Sequence, residues 1–218
     1  MIGVYDAAIR DCSNAVQLDP NHINSFLGLG NAYALLAANQ EKATVPTSNK
    51  GKTVDDYNRA IAEYGRAIAL NPSIVAAYIG RGHVFEAMAD YAHALQDYDQ
   101  AIQLDGQSAT AFNNRCWVRA ITGDLEQALS DCNASLRLSP NNKDALDSRG
   151  FAYLKKGNFD AAIADFSTAL TLEPKLASSL YGRGLARLKK GDADGKADIE
   201  IAQQLNPSIA ANFHRQGL

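Results

Sequence analysis

Cysteine is scarce in this sequence: Cys12, Cys116 and Cys132 are three among 218 residues. Three widely spaced thiols cannot build a disulfide framework or a zinc site, and they do not fix a redox compartment. Excess basic charge is also missing. Twenty-one Lys and Arg face 24 Asp and Glu, a formal net charge of −3, and the basic residues are dispersed. Phosphate recognition needs a concentrated basic face, so no nucleic-acid partner is expected. Lys155-Lys156 and Lys189-Lys190 are turn-end pairs suited to helix C-termini. No apolar run approaches the roughly 18 residues that a membrane span requires. Met1 leads straight into Ile2-Gly3-Val4-Tyr5-Asp6, without the basic and then apolar segments of a secretory leader. His22, His83, His93 and His214 share no zinc-like spacing, and none stands beside a cysteine suited to nucleophilic chemistry. Gly51-Lys52-Thr53 has the tail of a phosphate-loop motif, but Pro46 occupies the position of the required earlier glycine. The chain is therefore expected to be no enzyme and to need no metal or cofactor.

What is present is a repeat. Pro72, Gly106, Pro140 and Pro174 fall 34 residues apart, each after an apolar run ending in Leu70, Leu104, Leu138 and Leu172. Arg81, Arg115, Arg149 and Arg183 keep the interval, as do Ala94, Ala128 and Ala162, and Asp97, Asp131 and Asp165. Several registers in phase mark a repeat architecture. Within one unit, Leu146, Gly150 and Tyr153 form one stripe at helical spacing, and Ala162, Phe166, Ala169 and Leu170 form another. Lys155-Lys156-Gly157-Asn158 between them supplies a basic last turn and a left-handed exit. Pro174 then ends the second helix. Asn21, Ser73, Asn141 and Ser208, next to the closing prolines, are expected N-caps of first helices. Each unit reads as helix–turn–helix. Small residues (Gly82, Gly150, Gly184, Ala94, Ala128, Ala162) let paired backbones approach, and Tyr78, Phe85, Tyr98, Phe112, Tyr153 and Phe166 fill the space beside them. One hairpin cannot bury its apolar face alone, so the units must stack.

The spacing of Tyr78, Gly82, Phe85, Ala94, Tyr98 and Ala101, and of Leu146, Gly150, Tyr153, Ala162, Phe166, Ala169 and Pro174, resembles the tetratricopeptide repeat. Sel1-like repeats differ in unit length. The resemblance runs from about Val4 to Phe213 and implies an all-α, right-handed superhelical solenoid of helix–turn–helix repeats. A single repeat domain over 1–218 would comprise a half repeat at 1–20, a repeat at 21–72 with an insertion near 38–53, and repeats at 73–106, 107–140, 141–174 and 175–207. A capping tail would follow at 208–218, with Phe213 in the first-helix aromatic slot. The insertion reads as a loop extension, ordered or mobile. The half repeat suggests a truncated start or a face covered by a dimer partner, and the compartment stays open between cytoplasm and periplasm. Arg-Gly pairs and Asn-Pro or Asp-Pro closers give the repeats a bacterial texture. Arg119 and Arg187 stand where the family has an aromatic, and Cys116 and Cys132 fill core slots of one hairpin. Buried thiols are preferred there over a disulfide.

The repeated arginines occupy a slot that is usually leucine in the family. Second helices offer an acid at one matched position: Asp11, Glu63, Asp97, Asp131, Asp165 and Asp198. A row of anion sites is one reading. Pairing across the helix interface is preferred, because both sets share the repeat period.

In such stacks the first helices line the concave wall. One ladder of residues projecting there is Asn31, His83, Trp117, Phe151 and Leu185; beside it run Leu27, Ile79, Asn113, Asp147 and Tyr181. Asn24, Glu86, Asp144, Leu154 and Lys155 flank them. Asn31, Ile79, His83, Asn113, Trp117, Asp147, Phe151, Tyr181 and Leu185 are the candidate peptide-binding residues. A tryptophan off the packing stripe suits an interface anchor. It also suits a ring that covers a neighbouring helix or lies beneath the tail. The lysine–asparagine clamp with which some family members grip chaperone C-termini is missing: Leu27, Asn31, Gly80 and Ala76 hold those slots. The implied function is a protein-interaction scaffold receiving a peptide or partner segment. Two alternatives remain: self-association through the half repeat at Val4 to Val16, and an accessory region of a larger protein.

Overall fold

The structure, a computed structural model, describes residues 2–42 and 50–218, the side chains of Ile2, Lys42 and Lys50 excepted. The chain divides into two compact units that meet at Gly106 and Gln107. In unit 1 the helices are α1 (Ile2–Leu18), α2 (Ile23–Lys42), α3 (Lys50–Leu70), α4 (Val75–Ala87) and α5 (Tyr91–Leu104). Unit 2 holds α6 (Ala109–Thr122), α7 (Leu125–Leu138), α8 (Lys143–Lys156), α9 (Phe159–Leu172), α10 (Ala177–Lys189), α11 (Gly195–Leu205) and α12 (Ile209–Arg215). Among the described residues there is no strand, and no helix is long and apolar enough to cross a membrane. In unit 2 the first helices α6, α8 and α10 lie side by side, each paired with its own second helix.

The turns inside hairpins repeat one device. The amide of Asp90 donates to the Phe85 carbonyl at 2.8 Å, and Asp124, Asn158 and Asp192 donate likewise to Arg119, Tyr153 and Arg187 at 2.9, 2.9 and 3.0 Å. This six-residue closure satisfies an orphan carbonyl of the ending helix and needs a left-handed residue just before the donor. Gly123, Gly157 and Gly191 supply it, with φ of 94°, 79° and 82°. Ala89 holds the same slot in unit 1 at φ 59°, where its Cβ crowds the backbone. The next residue then caps the second helix: Asp90 accepts from the His93 amide and Asn158 from the Ala161 amide.

Turns between hairpins depart from the expected caps. Asn142, not Asn141, caps α8, accepting from Asp144 and Ala145. The N-cap of α4 is Ile74, and Ser208 stands at the N-cap of α12 without a side-chain capping bond. The sequence pattern was read two residues away from the operative group. Asp19, Asn71 and Asn206, which precede the prolines, accept from the amides of Asn21, Ser73 and Ser208 at 3.0, 2.9 and 3.1 Å. An Asx turn thus wraps each of these prolines.

Packing rests on rings seated against glycine. A Cβ on Gly82 would come within 2.7 Å of the Tyr98 ring, and one on Gly150 within 2.8 Å of Phe166. Tyr98 and Phe166 are fully buried. The insertion corrects the loop expectation in part. α2 continues to Lys42 and α3 starts at Lys50, and Gln40 joins the two extensions by hydrogen bonds with Asp56 and Thr53 at 3.1 Å each. Residues 43–49, including Pro46, lie outside the described residues.

The arginines pair with acids, as the shared period implied. Arg81 forks onto Asp97 at 2.8 and 2.7 Å, and the same bidentate contact joins Arg115 to Asp131, Arg149 to Asp165 and Arg183 to Asp198. Arg149 also donates to Asn133 on α7 at 2.7 Å, knitting two hairpins together. Where arginine replaces the aromatic, the carboxylate is gripped twice: Arg119 reaches Asp131 at 2.6 Å and Arg187 reaches Asp198 at 2.8 Å. The thiol expectation is overturned. Cys116 and Cys132 form a disulfide between α6 and α7, with Cα atoms 5.4 Å apart. Facing core slots of a hairpin bring Cβ atoms within bonding reach, and bridging 16 positions restricts the unfolded chain by about 3 kcal/mol.

Two measurements test these assignments by urea unfolding. Asp131→Ala strands two mostly buried guanidinium groups and should cost about 3–5 kcal/mol, more than Asp97→Ala, which strands one; an unchanged midpoint would remove the clamp from the stability account. Ala89→Gly should raise stability by about 0.5–1 kcal/mol through relief of the left-handed strain, and a lowered midpoint would contradict it.

Candidate functional site

In unit 1 the candidate residues lie along the first helices without closing into a cavity. Asn31 on α2 is exposed, and its Oδ1 accepts from the Tyr64 hydroxyl at 2.6 Å. Burial pushes the Tyr64 phenol up to about 12, so it remains a donor at neutral pH. His83 on α4 is exposed and stands edge-on to Tyr98 with ring centres 6.0 Å apart. The Tyr98 hydroxyl donates to Glu86 at 3.0 Å, one turn beyond His83. Ile79 is half-buried on the same helix. These tyrosines belong to second helices; their buried rings lie against the glycines, and their hydroxyls end on Asn31 and Glu86 of the first helices.

Unit 2 gathers its candidates. Trp117 on α6 meets Phe151 on α8 at 4.9 Å between ring centres. Tyr181 and Leu185 on α10 pack against the same core. Phe151 is 1% exposed, which corrects its expected place on an open wall. The cover is α12. Phe213 lies 5.6 Å from Phe151 and 4.8 Å from Tyr181, ring centre to ring centre. Lys155 closes the far end: its Nζ donates to the carbonyls of Ile121 at 3.0 Å and Gln216 at 2.9 Å, and lies 5.6 Å from the centre of the Phe151 ring. It therefore serves the C-terminal ends of α6 and α12 at once, where carbonyls lack intrahelical partners. Burial lowers its pKa. The residue that the tail buries is Phe151, whereas the sequence raised that reading for Trp117. Lys155 was legible only as a flanking residue, because its role depends on a segment 61 positions away.

Between α12 and the first helices a cavity of about 420 Å³ remains, lined by Trp117, Asp144, Asp147, Ser178, Asn212 and Phe213 among others. Asp147 accepts from the Ser179 hydroxyl. Burial raises its carboxyl to about 6, against the lowering effect of hydrogen bonds from Ser179 and Ser178; the charge of Asp144 adds to the rise. Asn113, one turn before Trp117 on α6, has a buried Oδ1 with no hydrogen-bond partner among the described residues. The cavity thus combines an indole wall with the carboxyl groups of Asp144 and Asp147, acceptors suited to polar and cationic groups on an otherwise apolar segment. Among the described residues no group of three or more His, Cys, Asp or Glu could hold a metal ion.

The raised Asp147 pKa has a signed consequence. Between the usual carboxylate range and about pH 6 the folded chain holds a proton that the unfolded chain releases. This group therefore favours folding at acid pH, and its contribution is lost as pH rises through that window, by up to about 1.4 kcal/mol per unit. Asp147→Asn keeps the acceptor for Ser179 and removes the titration. Its stability relative to wild type should rise between pH 4 and 7, read from thermal melts; parallel profiles would place Asp147 in water.

A search of the curated proteins finds no match to this sequence. Family models do match it. The model described as TPR repeat matches residues 150–191, and the one described as tetratricopeptide repeat matches 54–109 and 79–143. Together these segments span more than half of the chain. Among solved structures, a chain of the APC/C hetero-tetramer Cut9–Hcn1 is similar with a TM-score of 0.78 and 17% identity, covering 100% of this chain and 41% of that one. PilW, a widely conserved type IV pilus biogenesis factor, aligns with a TM-score of 0.75 and 17% identity over 96% of this chain and 90% of its own. YrrB, a TPR protein with an unusual peptide-binding site, aligns at 0.60 and 20% over 95% and 98%. At these identities the likeness establishes the fold, an all-α solenoid of repeated hairpins. With the 34-residue period, the ring-on-glycine packing and the matched family models in agreement, the chain belongs to the tetratricopeptide repeat family.

Proposed function

We propose that the chain is a protein-interaction scaffold whose first-helix face holds a segment of a partner polypeptide. The observation that carries the reading is the row Trp117, Phe151 and Tyr181 on α6, α8 and α10, which already holds the apolar side of a helix, α12. These rings stand on first helices of three successive hairpins, apart from the glycines that seat the second-helix rings. Desolvated aromatics rimmed by polar groups are what interface anchors are made of. Asp144, Asp147 and Ser178 supply that rim in unit 2. In unit 1, taken by itself, Asn31 and His83 are the candidate contacts on the first helices, where both residues are exposed. The peptide-binding site of YrrB offers a precedent on a similar fold.

The reading is tested by capture from the source lysate with wild type and with Trp117→Ala, Asn31→Ala and His83→Ala, each checked for an unchanged helical spectrum. A partner retained by wild type should be lost by Trp117→Ala by a factor of about 30 or more, the loss expected of an anchor residue. Retention indifferent to all three substitutions, or a homodimer that captures nothing, would remove this face as the partner site.

A further inference from the structure

We infer that α12 is a displaceable occupant of the unit 2 groove, and that the partner segment replacing it is itself an amphipathic helix carrying an aliphatic residue, an aromatic one turn later and a donor group for Asp144. This rests on the partner-site reading above and names what the site takes.

The occupant displays the chemistry. Ile209 and Phe213, four residues apart, are each 4% exposed, while Ala211, His214 and Arg215 face solvent. At the end of α12, Lys155 takes the carbonyl of its C-cap residue Gln216. Backbone carbonyls are common to every helix that ends there, so this grip accepts a replacement without regard to sequence. Phe213 sits on Phe151 and Tyr181 through rings alone, a contact any aromatic at that position reproduces.

Two features favour exchange. First, α12 has seven residues and its Ser208 N-cap makes no side-chain bond. A helix this short has no stability of its own and exists because the groove holds it. Second, the fit is incomplete. About 420 Å³ stays open beneath α12, bounded by Trp117, Asp144 and Asp147, a volume in the range of ligand pockets. A segment that served only as a permanent cap would be packed to interior density and would leave no such cavity. A longer helix fills it, with a donor-bearing side chain placed for Asp144 on its wall.

The test uses the full chain and, as probe, a fluorescein-labelled synthetic peptide with the sequence of residues 205–218, followed by anisotropy. A groove occupied in cis lowers apparent affinity by the fraction of molecules in which it is open, so Phe213→Ala should bind the probe about tenfold tighter than wild type, or more. Adding Trp117→Ala to that variant should abolish the gain. In wild type, excess probe should speed hydrogen exchange at the amides of residues 209–216. Three results overturn the inference: no affinity gain in Phe213→Ala, loss of its helical spectrum (which makes α12 part of the core), or unchanged exchange with the probe bound. If these fail while Trp117→Ala still loses its captured partner, the groove stands and only the cis occupancy falls. Failure of both removes the site.

Discussion

A ring pressed onto glycine is the contact on which the repeats depend. Two helices of a hairpin approach closely only where one offers no side chain, and the space beside that approach must then be filled by something large and flat. Tyr64 lies against Gly30 and Gly80, Tyr98 against Gly82, and Phe166 against Gly150 and Gly182. Tyr64 and Phe166 each touch glycines of two successive first helices, so one ring fixes both the hairpin and its neighbour. In the hairpin of α6 and α7, Cys116 and Cys132 stand in the glycine and ring slots, and a disulfide does the joining. In the hairpin of α10 and α11 the ring is missing too. Gly184 there faces Gly195 and Ile199, and the backbones themselves come into contact.

The polar ladder depends on that spacing. Once the backbones are close, an arginine on the first helix reaches a carboxylate on the second with both ends of its fork, and the pair is sheltered from water. Shelter makes the pair costly to break and of small net benefit to keep. Its value is geometric, since a fork that fits one carboxylate fixes the rotation of one helix against the other. Asp131 and Asp198 take a second arginine where the aromatic is missing, so charge replaces packing at those two positions.

The candidate site follows from what the ladder and the rings leave unused. Trp117, Phe151 and Tyr181 form a row on the first helices of unit 2, and Phe213 of α12 packs on Phe151 and Tyr181. The same helix stack that carries α12 on its aromatic row also leaves a cavity of about 420 Å³ beside it, walled by Trp117, Asp144 and Asp147.

The sequence alone determined the hairpins, their period, the all-α class and the pairing of arginine with aspartate, because all of these are local or recur at one fixed spacing. The resemblance to tetratricopeptide repeats, not periodicity, is what suggested Trp117, Phe151, Tyr181 and Leu185 as groove residues, and of these Phe151 is buried. Three things were decided only by tertiary structure. The Cys116–Cys132 bond depends on which of two core slots face each other at bonding distance, and composition argued the other way. The caps moved to Asn142 and to Asx turns at Asp19, Asn71 and Asn206, because several polar residues near a proline compete and backbone geometry chooses among them. Finally, Phe151 is buried by Phe213 and Lys155 is bound to Gln216, contacts spanning about 60 residues. Periodicity placed Phe213 in a first-helix slot but not its contacts, because the rings it meets are brought together only once the hairpins have stacked.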